Sequence, residues 1–286
     1  MKSTTPVVRT TAFSTGTVRV HPEHVAATWK PMMLWMLTSR SWTDPLPINV
    51  FVIEHNDGLV LFDTGQDRAS VSTDTYFPGG PIGAMYRRTA RADIPVDQTL
   101  TAGLQRLGYD PADVKVVVLS HFHQDHIGGL AELPSARVIA SSAEWATLDG
   151  RGALLSGIMR KHIDLPNLDW SIIDPEPLPD GNLAPFTTGH DIYADQSLVI
   201  VPTPGHTPGS LSLIVRRGPL PPLALVGDLT YGVHHLNCGH VPGSGERKVL
   251  EASTSKLKGL CQNLDGLVVL PTHDPTAQAR LEASSL

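Results

Sequence analysis

The chain has 286 residues, 41% of them apolar, and a formal charge of −6 from 22 basic and 28 acidic side chains. That length allows one large α/β domain with a substantial core, and the apolar share is ordinary for a soluble globular protein. No Lys/Arg cluster stands out along the sequence and no apolar run approaches membrane-spanning length, so neither a nucleic-acid surface nor a membrane span is expected. The opening MKSTTPVVRTTAFSTGTVRV lacks the apolar core of a signal peptide. Cys238 and Cys261 alone give no disulfide framework, and buried or inert thiols in a reducing cytoplasm are expected.

Residues 1 to about 45 read as an N-terminal extension in which Trp29, Met32, Met33, Leu34, Trp35 and Met36 crowd together as core or edge-strand residues, part of which can line a greasy pocket. Two apolar runs, 48–53 and 59–62, flank the turn Asn56-Asp57-Gly58 and predict a hairpin ending in Asp63. Residues from about 66 to 92, rich in Gly, Pro and aromatics, read as a long loop, and 97–107 as a helix closed by Gly108. The run 114–119 predicts a buried strand, followed by a short strand over 136–140 and a short helix opened by Ser142-Ala143-Glu144. Residues from about 151 to 195 are Pro-rich and read as a helical excursion with loops. Strands are then expected over 198–201, 211–215, 223–226 and 267–270, with a helical stretch over 253–264. The halves rhyme: a hairpin ending in Asp63 precedes VVVLSH, and a hairpin ending in Asp228 precedes LVVLPTH. Two sheet-plus-helix halves packed face to face, with strand ends converging on one edge, would account for this.

The chemistry concentrates at those strand ends. SHFHQDHIGG places His121, His123, Asp125 and His126 within six positions of one another. Neutral imidazoles and carboxylates are the donors used by zinc, manganese and ferrous iron. His121 and His123, two apart, project to one side and can grip one ion, while Asp125 and His126 can hold a second. His206, set between Pro-Gly turns, can complete the first ion; His273 can complete the second; Asp228 can bridge both. Asp63 is expected to orient one of the ligands from behind.

HFHQDH, the later PGHTPGS, Gly227-Asp228 and the late THD together resemble the metallo-β-lactamase superfamily, over nearly the whole stretch from Ile48 to His273. The resemblance implies an α/β fold, the αβ/βα sandwich, over a single domain spanning residues 1–286. It implies two divalent metal ions, with zinc first and manganese, iron or cobalt also suited. His121, His123 and His206 would hold one ion and Asp125, His126 and His273 the other, bridged by Asp228. Tyr231, three residues after Asp228, stands where the N-acyl-homoserine lactone lactonases of the superfamily carry a substrate-contacting tyrosine. The expectation is a binuclear hydrolase that opens a lactone ring, as in quorum quenching. Its catalytic residues would be Asp125, Tyr231 and Asp228, and the resemblance suggests a homodimer. The N-terminal apolar cluster and the loop around Tyr76 and Phe77 are expected to receive an acyl chain. The rivals are a thioester hydrolase, a β-lactamase or another small-ring lactonase of the same fold, and, more distantly, a non-catalytic binding protein.

Overall fold

A computed structural model of the chain describes residues 5–150, 152–179 and 181–286. Residues 1–4, at the head of the expected extension, Arg151, at the head of the second expected insertion, and Asp180 lie outside the described residues.

The first half contributes β1 (Val7–Val20), β2 (Leu46–His55), β3 (Gly58–Phe62), β4 (Ala90–Asp93), β5 (Val114–Val118), β6 (Arg137–Ser141) and β7 (Asp169–Ile173). They form one seven-stranded sheet in the order β4-β1-β2-β3-β5-β6-β7. The second half contributes β8 (Glu176–Pro177), β9 (Thr188–Asp191), β10 (Leu198–Pro202), β11 (Leu211–Arg217), β12 (Leu220–Leu225) and β13 (Val268–Leu270), ordered β13-β12-β11-β10-β9-β8. The helices are α1 (Pro22–Val25), α2 (Met32–Thr38), α3 (Ala69–Ser72), α4 (Gly80–Thr89), α5 (Leu100–Arg106), α6 (Gln124–Ile127), α7 (Ser142–Trp145), α8 (Val233–Cys238), α9 (Arg247–Asn263) and α10 (Ala277–Ala283).

The rhyme in the sequence is a shared strand pattern. β2 and β3 form an antiparallel hairpin with β5 parallel beside β3. β11 and β12 form an antiparallel hairpin with β13 parallel beside β12. Both sheets are buried on both faces, which is why their strands read as continuous apolar runs. Phe51, Ile53, Phe62 and Val118 meet Ile200, Leu213, Val215 and Leu225 between the sheets. Val50, Val52, Leu61 and Val117 point the other way, onto Leu100 and Leu104 of α5. Val199, Ile214 and Ala224 likewise pack beneath Leu250, Leu257 and Leu260 of α9. Each such large side chain contributes about 1.5–3 kcal/mol of burial, so these layers fix the strand ends firmly. The result is helix, sheet, sheet, helix: the αβ/βα sandwich.

Several local expectations change. Residues 7–20 are not appended to the fold but form β1, inserted between β2 and β4; its Val and Thr residues favour a strand. Of the crowded apolar residues after it, Trp29 precedes α2 and the rest lie in it; Trp29, Met32, Met33 and Leu34 are exposed, so the core or edge-strand reading holds for the buried Trp35 alone. Within 66–92 the expected loop contains α4. Gly79 and Pro81 hide it, since Pro is tolerated in the first turn, where its missing N–H has no partner to lose. The span 151–195 adds three short strands to its helical turns. Cys238 and Cys261 are free and exposed, not buried.

Candidate metal centre

The strand ends of both sheets converge. β3 ends at Asp63, which adopts φ 61°, a left-handed conformation that Asp tolerates better than most residues. Its buried carboxylate accepts from Ser120 N (2.7 Å), Ser120 Oγ (2.9 Å) and His126 Nδ1 (2.8 Å). The expected orienting role of Asp63 thus has a visible partner, His126. Gly227, at φ 52°, brings the turn after β12 against Ser120; a Cβ there would lie 2.7 Å from Ser120 Cβ. Asp228 follows it into the same cluster.

The seven expected residues fall into three overlapping groups: His121, His123 and His206; His121, His126 and Asp228; and Asp125, His126 and His273. Within each group, one ligand atom per residue lies within 4.8 Å of the others. What lies behind each imidazole decides which nitrogen faces inward. His126 Nδ1 faces a carboxylate, His273 Nδ1 the Pro47 carbonyl (2.9 Å) and His123 Nε2 the Ser156 carbonyl (2.9 Å). Those oxygens only accept, so each of these nitrogens carries a hydrogen, and the inner one is left either to hold a proton or to ligate a cation. Ser120 Oγ, donating to Asp63, accepts from His121 Nδ1 at 2.9 Å in the same way.

The inward-facing atoms are therefore all donors of electron pairs to a cation. His123 Nδ1 lies 2.9 Å from both His121 Nε2 and His206 Nε2. His126 Nε2 and His273 Nε2 each lie 3.3 Å from Asp228 Oδ1. His126 Nε2 and Asp228 Oδ1, 3.3 Å apart, are both buried without a hydrogen-bond partner. Buried lone pairs turned on one another repel and are costly unless a cation or protons sit among them. Donor type, convergence and the two orphaned atoms all fit divalent cations.

The electrostatics agree. Burial, reinforced by the neighbouring imidazoles His126, His123 and His206, holds His121 far below the usual histidine range, and burial takes His206 down to about 3. For His126, burial opposes the charge, but Asp63, Asp228 and Asp125 outweigh it and raise the pKa well above the usual value. His273 is raised similarly: burial opposes, and Asp228 and Asp125 prevail. Asp228 stays ionised against its burial because His273, His126 and His206 surround it.

Tyr231 lies beside this cluster, buried, its ring stacked on His273 at 5.1 Å. It packs with Val18, Val20, Val25 and Ile48. Burial first, then the carboxylates of Asp228 and Asp125, keeps its phenol protonated and so a hydrogen-bond donor. Tyr76 does not offer the acyl-chain surface expected of it. It is buried, donates to Gln124 Oε1 (2.9 Å) and stacks on His162 at 4.1 Å.

Two residues escape the sequence reading. Glu144, read only as a helix opener, is fully buried and accepts from Phe122 N (2.8 Å), Thr207 Oγ1 (2.6 Å) and Gly209 N (3.1 Å). It ties the loop carrying His121 and His123 to the turn carrying His206. His24, on α1, has an orphaned buried Nδ1 and packs edge-on against Trp35 at 4.5 Å. Burial, reinforced by the neighbouring His21, lowers it to about 4. No spacing pattern marks either residue in the sequence.

The model of the metallo-beta-lactamase superfamily matches residues 43–273. An N-acyl homoserine lactonase, AttM, of Azorhizobium caulinodans is 34% identical over 236 residues, 81% of this chain and 83% of that one. The solved structure of an N-acyl homoserine lactone hydrolase, with the product N-hexanoyl-L-homoserine at its catalytic metal centre, superposes with a TM-score of 0.75 at 21% identity, over 94% of both chains. AidC, a dizinc quorum-quenching lactonase, superposes with a TM-score of 0.61 at 19% identity, over 96% of this chain and 92% of that one.

Proposed function

We propose that this chain, which belongs to the metallo-beta-lactamase superfamily, hydrolyses the lactone ring of N-acyl homoserine lactones. The observation that carries the reading is the convergence of seven inward-facing donors from both halves of the fold, in a chain similar to a lactonase along most of its length. In this reading residues 1–286 act as one catalytic domain, His121, His123 and His206 hold one divalent ion, and Asp125, His126 and His273 hold another, with Asp228 shared. Zinc is the first candidate; manganese, iron and cobalt accept the same donors. When bound, such a pair supplies Lewis acidity, making water acidic enough to attack near neutral pH and polarising the ester carbonyl.

The chain's own residues do the rest. The Tyr231 phenol donates a hydrogen bond to the carbonyl oxygen as negative charge builds on it. Asp125, held by His273 at 3.3 Å, carries a proton to the departing ring oxygen. Asp228 keeps His126, His273 and His206 aligned through its two oxygens. Trp29 and the exposed apolar side of α2 support an acyl-bearing substrate. Quorum quenching, a cytoplasmic location and a homodimer complete the reading; it includes no nucleic-acid or membrane partner.

The test is proton release by the metal-loaded protein on N-hexanoyl homoserine lactone, a glutathione thioester and a chromogenic β-lactam, compared by kcat/KM. The lactone should lead by orders of magnitude. A preference for the thioester or the β-lactam would reject this reading.

A further inference from the structure

Although no basic cluster stands out in the sequence, the fold makes one. A cleft of about 510 Å³ opens among β4, α4 and the segment after α2, lined by Arg40, Arg87, Arg88, Arg91, His21 and Trp42. None of these belongs to the metal cluster. Among the described residues, none of the four guanidinium groups has a carboxylate within 4.0 Å. Arg88 spends its donors on the carbonyls of Met36 (3.1 Å) and Leu37 (2.6 Å), and Arg91 lies over the Trp42 ring at 4.1 Å. Arg91 also sits directly opposite Arg19 in the β1–β4 register, a like-charge pair that a sheet ordinarily avoids.

The cleft wall is rigid where it matters. His21 is buried, with Nδ1 2.7 Å from the Ser41 carbonyl and Nε2 2.9 Å from the Arg88 carbonyl, so its ring is held at both edges. Glu23, two residues along the chain, is already engaged by Ser39 Oγ (2.8 Å) and Lys30 (3.7 Å). In a chain of net charge −6, uncompensated cations brought together this closely repel one another, and an anion among them relieves that repulsion. Planar guanidinium forks pair bidentately with phosphate and carboxylate oxygens.

We propose that this cleft binds a small polyanion bearing two or more phosphate or carboxylate groups, at a place separate from the metal cluster. Its volume is within the roughly 300–1,000 Å³ of small-molecule sites, and its basic groups form a pocket, not the long stripe a nucleic acid needs.

The experiment is titration calorimetry on the metal-loaded full-length protein with inorganic pyrophosphate, tricarballylate, sulfate and a polyglutamate peptide. Because the first two also sequester divalent ions, metal content is measured before and after. Saturable binding of pyrophosphate or tricarballylate is expected, weakened at least about tenfold in the Arg87→Glu/Arg91→Glu variant and also in Arg40→Gln. Which of the two binds identifies phosphate or carboxylate as the natural group. All these positions are exposed, so the variants keep the fold, checked by circular dichroism. Four results would each overturn the proposal: no saturable binding, affinity unchanged in both variants, sulfate binding as tightly as the polyanions, or binding of the peptide alone.

Discussion

At the scale of single residues, a group that would touch substrate is told apart from one that holds others in place by what its removal changes. Tyr231→Phe keeps the ring on His273 but removes the donor. It should cost about 1–3 kcal/mol in transition-state binding, read as a 5- to 150-fold fall in kcat/KM with metal content unchanged. Unchanged lactone turnover would remove Tyr231 from the mechanism. Glu144 acts through others, since it clamps the two loops that carry His121, His123 and His206. Glu144→Ala should weaken metal affinity by about 10- to 100-fold in chelator competition, with Glu144→Gln closer to the parent. The seven donors were legible in the sequence because each follows an apolar run. Glu144 and His24 were not, because what marks them is burial and an orphaned or shared atom, and neither leaves a spacing pattern.

At the scale of elements, apolar runs bounded by turns told their own story, and Gly- or Pro-marked segments concealed theirs. The hairpins at β2–β3 and β11–β12 could be read from Asn-Asp-Gly and from apolar runs buried on two faces. α4 could not, since Gly79, Gly80 and Pro81 look like a loop until Pro81 is recognised in a first turn. α2 is the reverse case: its Met and Trp residues look like core, yet one side chain anchors it. Trp35→Ala should therefore destabilise the protein by about 3–5 kcal/mol in urea unfolding, whereas Met33→Ser should stay within about 0.5 kcal/mol. Equal effects would show that α2 packs differently from the arrangement described.

At the scale of the molecule, the two sheets meet at an edge where buried imidazoles and carboxylates face one another, and a cation bound there would join the halves. Removing the metals should lower Tm by on the order of 5 °C, restored by adding zinc back. Metal uptake should also expel protons. His126 and His273 are raised above the usual histidine value in the metal-free cluster, so near neutral pH they hold protons that a cation must displace. Metal affinity should accordingly climb as pH rises above about 6.5, and the binding enthalpy should depend on the buffer's ionisation heat. The face-to-face pairing of two sheet-plus-helix halves was readable from strand patterns and the αβ/βα sandwich from the motifs, whereas the arginine cleft appears only once residues 40, 87, 88 and 91 are brought together in space. The most direct measurement is lactone turnover by metal-free protein titrated with zinc. Turnover of N-hexanoyl homoserine lactone should rise from nothing to a plateau at two equivalents per chain; full turnover without metal, or a plateau at one equivalent, would contradict a shared seven-residue centre.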